Sequence, residues 1–69
     1  MKYQWEEKDI RGGRRVKAKG DEDFIIGWKQ DESYYLIAAD GYIGTRFEGK
    51  QALADHLNET GKRPVDFWD

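Results

Sequence analysis

The sequence predicts a single α+β domain, in which a three- to four-stranded antiparallel meander is followed by one C-terminal helix. Apolar and polar residues alternate over much of 14–47, which is the period of half-buried strands. Over 49–60 the apolar residues recur instead at helical spacing. With 69 residues, the chain is long enough for one small core only. We therefore assign 1–69 to one domain.

The N-terminal third contains one predicted strand. Residues 1–9 alternate weakly through Tyr3 and Trp5, which predicts either an arm or a short first strand. Two adjacent glycines at 12–13 then mark a turn. Val16 and Ala18 alternate with lysines after this turn, which indicates a half-buried strand.

The next strands have clearer boundaries. Over 24–30 the apolar residues Phe24, Ile26 and Trp28 share one face. The segment 34–39 is apolar on both faces, as a central strand would be. Asp-Gly at 40–41 predicts a hairpin before the segment 42–47, in which Gly44 marks a bulge or a close approach of the backbone.

The helix is predicted over 49–60 and the tail over 62–69. Leu53 and Leu57 lie in the apolar stripe of this helix. A glycine at 61 and a proline at 64 end the helix. We expect these leucines to pack on one face of the sheet. That face is built either from Phe24, Ile26, Leu36 and Ile43, or from the neighbouring strand residues whose side chains point to the other face. The apolar tail is expected either to fold back onto the core, which the small number of aliphatic residues favours, or to remain exposed as an anchor for a partner.

Composition excludes several classes of protein. Cysteine is absent, so disulfide frameworks, thiolate nucleophiles and zinc knuckles are excluded, and a reducing cytoplasm is the expected location. The longest apolar run, 34–39, is far shorter than the roughly 20 residues that a membrane span requires. No membrane association is therefore expected.

Enzymatic residues are sparse. His56 is the only histidine, and no serine or cysteine nucleophile lies near it in sequence. The glycines at 12–13 lack the pattern of a phosphate loop, and the acidic turns do not have the spacing of a calcium loop. The sequence therefore predicts a protein that is not an enzyme and has no cofactor or metal.

Aromatic residues favour a binding function. The chain contains 3 Trp, 4 Tyr and 3 Phe, and exposed tryptophans and tyrosines are common anchors of protein interfaces. The first hypothesis is a regulatory module that binds another protein and is itself a monomer or weak homodimer. Its candidate partner-binding residues are Trp28, Tyr34, Tyr35, Phe67 and Trp68.

The alternative hypothesis is a nucleic-acid-binding domain that uses the basic strand 11–19 and sheet aromatics. Clustered cations bind phosphates, and aromatic rings on a sheet stack on bases. A net charge of −2 opposes this alternative, because nucleic-acid-binding domains are usually basic. The candidate phosphate-binding residues are Arg11, Arg14, Arg15, Lys17 and Lys19.

Some short segments resemble known families. Residues 9–16, DIRGGRRV, resemble the opening turn of small SH3-like barrels, which implies a small barrel as one form of the meander. The phrases YYLIAADG at 34–41 and LADHLN at 53–58 are similar to segments of small bacterial or phage proteins. The order of strands and helix also resembles the plant ethylene-response-factor DNA-binding domain, but without its basic sheet surface. None of these resemblances implies an active site.

Overall fold

One antiparallel sheet and one α-helix form the fold in a computed structural model, which describes residues 3–18, 20 and 22–67. Short 3-10 helices at Glu7–Asp9 and Val65–Phe67 lie on either side of these elements. The strands and the helix, in chain order, are β1 (Arg15–Lys17), β2 (Phe24–Trp28), β3 (Ser33–Ala38), β4 (Ile43–Glu48), α1 (Lys50–Thr60) and β5 (Arg63–Pro64).

The strands lie in the order β4-β3-β2-β1-β5, and each neighbouring pair is antiparallel. After β4, helix α1 carries the chain to the opposite edge of the sheet, where β5 pairs with β1. The α+β class and the C-terminal helix are thereby confirmed. The sheet has five strands rather than three or four, because a two-residue strand is too short to show a period of two.

The core lies between α1 and one face of the sheet. Phe24 packs against the edge of this core, and Ile26 and Leu36 are register partners at its centre. The expected packing of the helical leucines on this face is therefore observed. The buried apolar residues of this core are Trp5, Ile10, Val16, Ile26, Tyr34, Leu36, Leu53, Ala54 and Leu57.

Residues 3–9 form an arm that contributes to this core rather than a first strand. Trp5 is only 2% exposed, and its indole Nε1–H donates to the carbonyl of Lys62 at 2.8 Å. The amide side chain of Asn58 accepts from the Trp5 backbone N–H at 2.7 Å and donates to the Trp5 carbonyl at 3.0 Å. These bonds fix the arm to the end of α1.

A β-bulge at Gly44 decides which side chains face away from α1. Tyr35 pairs with Arg46, but Ile37 pairs with Ile43, so the register shifts between these pairs. A Cβ on Gly44 would lie 3.2 Å from the Leu36 carbonyl oxygen, which explains the glycine. Because of the extra residue, Ile43 lies on the sheet face opposite α1 and not in the predicted core face.

The ends of α1 follow the sequence prediction. Gly61 has a left-handed φ of 72°, and the N–H of Lys62 donates to the Leu57 carbonyl, as in a glycine-terminated helix. Gly49 provides no side-chain cap at the start. No helix within the described part of the chain is both long enough and apolar enough to cross a lipid bilayer.

Candidate functional site: the uncovered face of the sheet

An isoleucine row crosses the face of the sheet that α1 does not cover, here called the open face. Ile25 of β2 pairs with Ile37 of β3, which in turn pairs with Ile43 of β4. Ile25 is 44% exposed and Ile43 is 55% exposed. The row therefore presents branched aliphatic side chains to solvent across three adjacent strands.

Gly27 makes the centre of this face flat. A Cβ on Gly27 would lie 2.6 Å from Cδ1 of Ile37, so the Ile37 side chain lies across the space that another residue would fill. Gly27 pairs with Tyr35, whose Cβ would lie 3.9 Å from the same added Cβ. The result is a shallow, continuous apolar surface rather than a series of isolated protruding side chains.

Cations border the row on the β1 side. Arg15 pairs in register with Ile25, and Lys17 pairs with Arg63. The carboxylate of Asp23 lies 2.8 Å from the Arg15 guanidinium and 3.2 Å from Lys17 Nζ. Hydrogen bonds from Arg15 and Lys17 lower the pKa of Asp23. One carboxylate thus orders two cations beside Ile25.

Cations also border the row on the other side. Lys29 Nζ lies 5.3 Å from the centre of the Tyr35 ring, and Arg46 is the register partner of Tyr35. The pKa of the Tyr35 phenol is lowered, first by a hydrogen bond from Ser33 and then by the charges of Lys29 and Arg46. Arg46 also pairs with Glu48 at 2.7 Å. The phenol therefore lies in a positive environment.

The aromatic residues named from the sequence do not lie on one surface. Tyr35 is half-buried on the open face, whereas Trp28 is 54% exposed on the opposite face of β2. Tyr34 is only 4% exposed and is removed from the candidate surface, because its alternation with Tyr35 turns it into the core. The side chain of Phe67 and the whole of Trp68 lie outside the described residues.

The basic residues named from the sequence divide into two groups. Arg15 and Lys17 form ion pairs with Asp23, whereas Arg14 lies over the ring of Trp5. Arg11 and Arg14 line a cleft together with Arg15. Lys19 lies outside the described residues.

The isoleucine row was not predicted from the sequence. The signal was present, because 34–39 is apolar on both faces and one helix can cover only one of them. Alternation within β4 did not reveal this signal, since strict alternation would place Ile43 and Arg46 on opposite faces of the sheet. The bulge at Gly44 places both of them on the open face. The row was visible only once the strand register was known.

His56 lies apart from the open face. Its ring packs on Phe47 with 4.8 Å between ring centres. Burial lowers its pKa, and the nearby charge of Lys62 lowers it further. Across residues 3–18, 20 and 22–67, no three His, Asp or Glu side chains are grouped as metal ligands would be.

Comparisons with known proteins yield no relative. No protein-family model matches the chain, and neither a curated protein nor a solved structure matches it.

Proposed function

We propose that the protein is a non-enzymatic binding module that holds an acidic, partly apolar segment of another protein on its open face. The observation that supports this is the isoleucine row, which is exposed at its two ends, Ile25 and Ile43, and bordered by cations on both sides. Antiparallel sheets commonly leave one face in water, but that face is then usually polar. An apolar row on the solvent side is the feature that needs a partner.

The chemistry of the rim indicates the charge of that partner. Five cations lie around the row, and they outnumber the three carboxylates of the described residues that form ion pairs with them, Asp23, Asp31 and Glu48, although the whole chain has a net charge of −2. These cations are Arg15, Lys17, Lys29, Arg46 and Arg63. An apolar centre with a polar rim is the usual organisation of a protein interface. Rim cations favour acidic partners mainly through association rate and orientation.

Methyl-labelled NMR with defined peptides tests this proposal. The probe is a ten-residue peptide of alternating valine and glutamate, and the control peptide has lysine in place of each glutamate. We expect the acidic peptide to shift the methyl signals of Ile25, Ile37 and Ile43, and the basic peptide to leave them unchanged. Ile43→Ser should weaken this binding with little loss of stability, because its side chain is 55% exposed.

Trp28→Ser is the matched control, because it removes an equally exposed apolar side chain from the opposite face. It should leave binding of the acidic peptide intact. Equal loss of binding in Ile43→Ser and Trp28→Ser would show non-specific adhesion and overturn the proposal. Shifts produced equally by both peptides would show that charge plays no part in recognition.

The second candidate, nucleic-acid binding, uses the same face. Tyr35 is the observation that favours it, since a ring placed between Lys29 and Arg46 is an arrangement on which a base stacks. A single-stranded oligonucleotide is therefore the third probe in the titration. Oligonucleotide binding that weakens steeply with salt, without binding of the acidic peptide, would replace the first proposal with this one.

A further inference from the structure

We propose that the cleft between the Gly12-Gly13 turn and the C-terminal 3-10 helix is a binding site for the dianionic phosphate group of a phosphomonoester. This cleft, here called the arginine cleft, has a volume of about 300 Å³. It adjoins the cationic border of the isoleucine row, with which it shares Arg15, and the inference does not depend on the function proposed above. Its lining residues are Arg11, Gly13, Arg14, Arg15, Val65 and Asp66.

The backbone holds this cleft in shape. Gly13 has a left-handed φ of 82°, and its N–H donates to the Ile26 carbonyl at 2.7 Å. The Ile26 N–H in turn donates to the Arg14 carbonyl at 2.9 Å. The turn is thus fixed against β2, and it places the Cα atoms of its arginines before any ligand arrives. Such pre-organisation lowers the entropic cost of binding.

The opposite wall of the cleft is fixed by the C-terminal strand. Pro64 pairs with Val16 in the β1–β5 ladder, so Val65 and Asp66 follow directly at the sheet edge. Val16 is fully buried, which anchors the β1 side of this ladder in the core. Both walls therefore belong to the folded sheet.

Arg14 is oriented by stacking rather than by a carboxylate. Its guanidinium carbon lies 5.5 Å from the centre of the Trp5 ring, and Trp5 is immobilised by its bond to Lys62. A guanidinium above a ring face keeps its N–H donors at its edge, where they remain able to bind an anion. The side chain is therefore held in place and still has hydrogen bonds to give.

The positive charge of the cleft is only partly neutralised. Within the described residues, no carboxylate lies close enough to Arg11 or Arg14 to form an ion pair with it. Arg15 pairs with Asp23, and Asp66 provides the one carboxylate among the lining residues. Arg11 and Arg14 therefore provide the cations of this cleft that have no ion pair, and a compact dianion matches them, because arginine forms charge-assisted and often bidentate bonds to phosphate.

A titration at constant ionic strength tests the site. The probes are inorganic phosphate, a phosphoserine-containing peptide and a dinucleotide with one phosphodiester, each followed by amide and arginine side-chain NMR signals. We expect the phosphate and the phosphopeptide to shift Arg11, Gly13 and Arg14, and the dinucleotide to bind much more weakly. Tighter binding of the phosphopeptide would identify a protein side chain as the source of the group. Tighter binding of inorganic phosphate would identify a small phosphate compound.

Two variants with opposite expected effects on phosphate affinity make the test specific. Arg14→Gln should weaken phosphate binding about tenfold or more, since it removes a charge-assisted donor, whereas Asp66→Asn should strengthen it by removing a competing carboxylate. Arg46→Gln is the matched control, because it removes one cation from β4, which lies at the edge of the sheet opposite β5. Thermal unfolding of each variant shows whether it is folded.

Several results would overturn the proposal. Equal weakening by Arg14→Gln and Arg46→Gln would show attraction by overall charge instead of a site. Weaker binding by Asp66→Asn, or binding of the dinucleotide as tight as that of phosphate, would also contradict it. Shifts at Ile25, Ile37 and Ile43 are read separately, so failure here leaves the proposed protein-binding surface unaffected.

Discussion

Asn58 joins two parts of the chain that are far apart in sequence. Its amide group bonds to both the N–H and the carbonyl of Trp5, as a neighbouring strand would do. A short polar residue near the end of a helix gives no sequence signal for this role. The burial of Trp5 was likewise not predictable, because its partner lies 53 positions away.

Asn58→Ala should therefore destabilise the protein. It leaves two partly buried backbone groups of Trp5 without partners, and we expect a loss of roughly 1–3 kcal/mol in the free energy of unfolding. Urea unfolding followed by tryptophan fluorescence measures this loss. Thr60→Ala is the control, because Thr60 Oγ1 donates only to carbonyls of its own helix. An equal loss in both variants would contradict a specific role for the bond to the arm, since alanine has the higher helix propensity at both positions.

His56 makes stability depend on pH. In the folded protein, burial and then the charge of Lys62 lower its pKa below the ordinary value of 6.5. As the pH falls through 6.5, the unfolded chain takes up the proton before the folded chain does. The free energy of unfolding therefore decreases with falling pH until the folded-state pKa is passed.

The variant His56→Gln should remove this component. Urea unfolding at about pH 7.5 and about pH 5.5 brackets the titration, and the decrease in stability between these values should be smaller in the variant. Glu59, whose charge raises the pKa of His56, should be kept unchanged in this experiment. An identical decrease in both proteins would show that carboxylates alone determine the pH dependence.

Among the elements, α1 contributes Leu53, Ala54 and Leu57 to the buried core. Leu53 and Leu57 are both fully buried, and they lie on the stripe that the sequence predicts. Helical spacing was sufficient for this prediction, because an amphipathic helix next to a meander has only one sheet to cover. The position of its end was also predictable from the glycine at 61 and the proline at 64.

Leu53→Ala should cost about 2–5 kcal/mol, since it leaves a cavity in a fully packed site. That amount is comparable to the total stability expected of such a small domain. Glu59→Ala, on the exposed side of the same helix, should change stability by no more than about 0.5 kcal/mol. Thermal unfolding compares the two, and similar melting temperatures would contradict a core centred on α1.

Strand β5 and the bulge in β4 were beyond sequence prediction for different reasons. Arg63–Pro64 is too short to alternate, and proline is unusual in strands except at edges, which is where β5 lies. Gly44 was correctly interpreted as a bulge or close approach. Its effect on Ile43 depended on the register, which no local pattern specifies.

At the scale of the whole molecule, the sequence predicts the class and layering of the fold better than its surface. A helix that covers one face follows from two periods and a few turn residues. The open face combines residues from all the strands, so its isoleucine row and cationic rim arise only from cross-strand pairing. The order of charged residues along the chain therefore does not predict the cationic rim, which depends on which strands are neighbours in the sheet.

The hydrogen bond from the Trp5 indole to the carbonyl of Lys62, which follows α1, has a consequence for the nascent chain. Synthesis proceeds at about 5–20 residues per second, and Lys62, the acceptor for the Trp5 indole, is made long after the arm. Until it emerges from the ribosome, Trp5 and the apolar side of β1 have no native cover. The native hydrogen bond of the Trp5 indole therefore forms only when the residues after α1 become available.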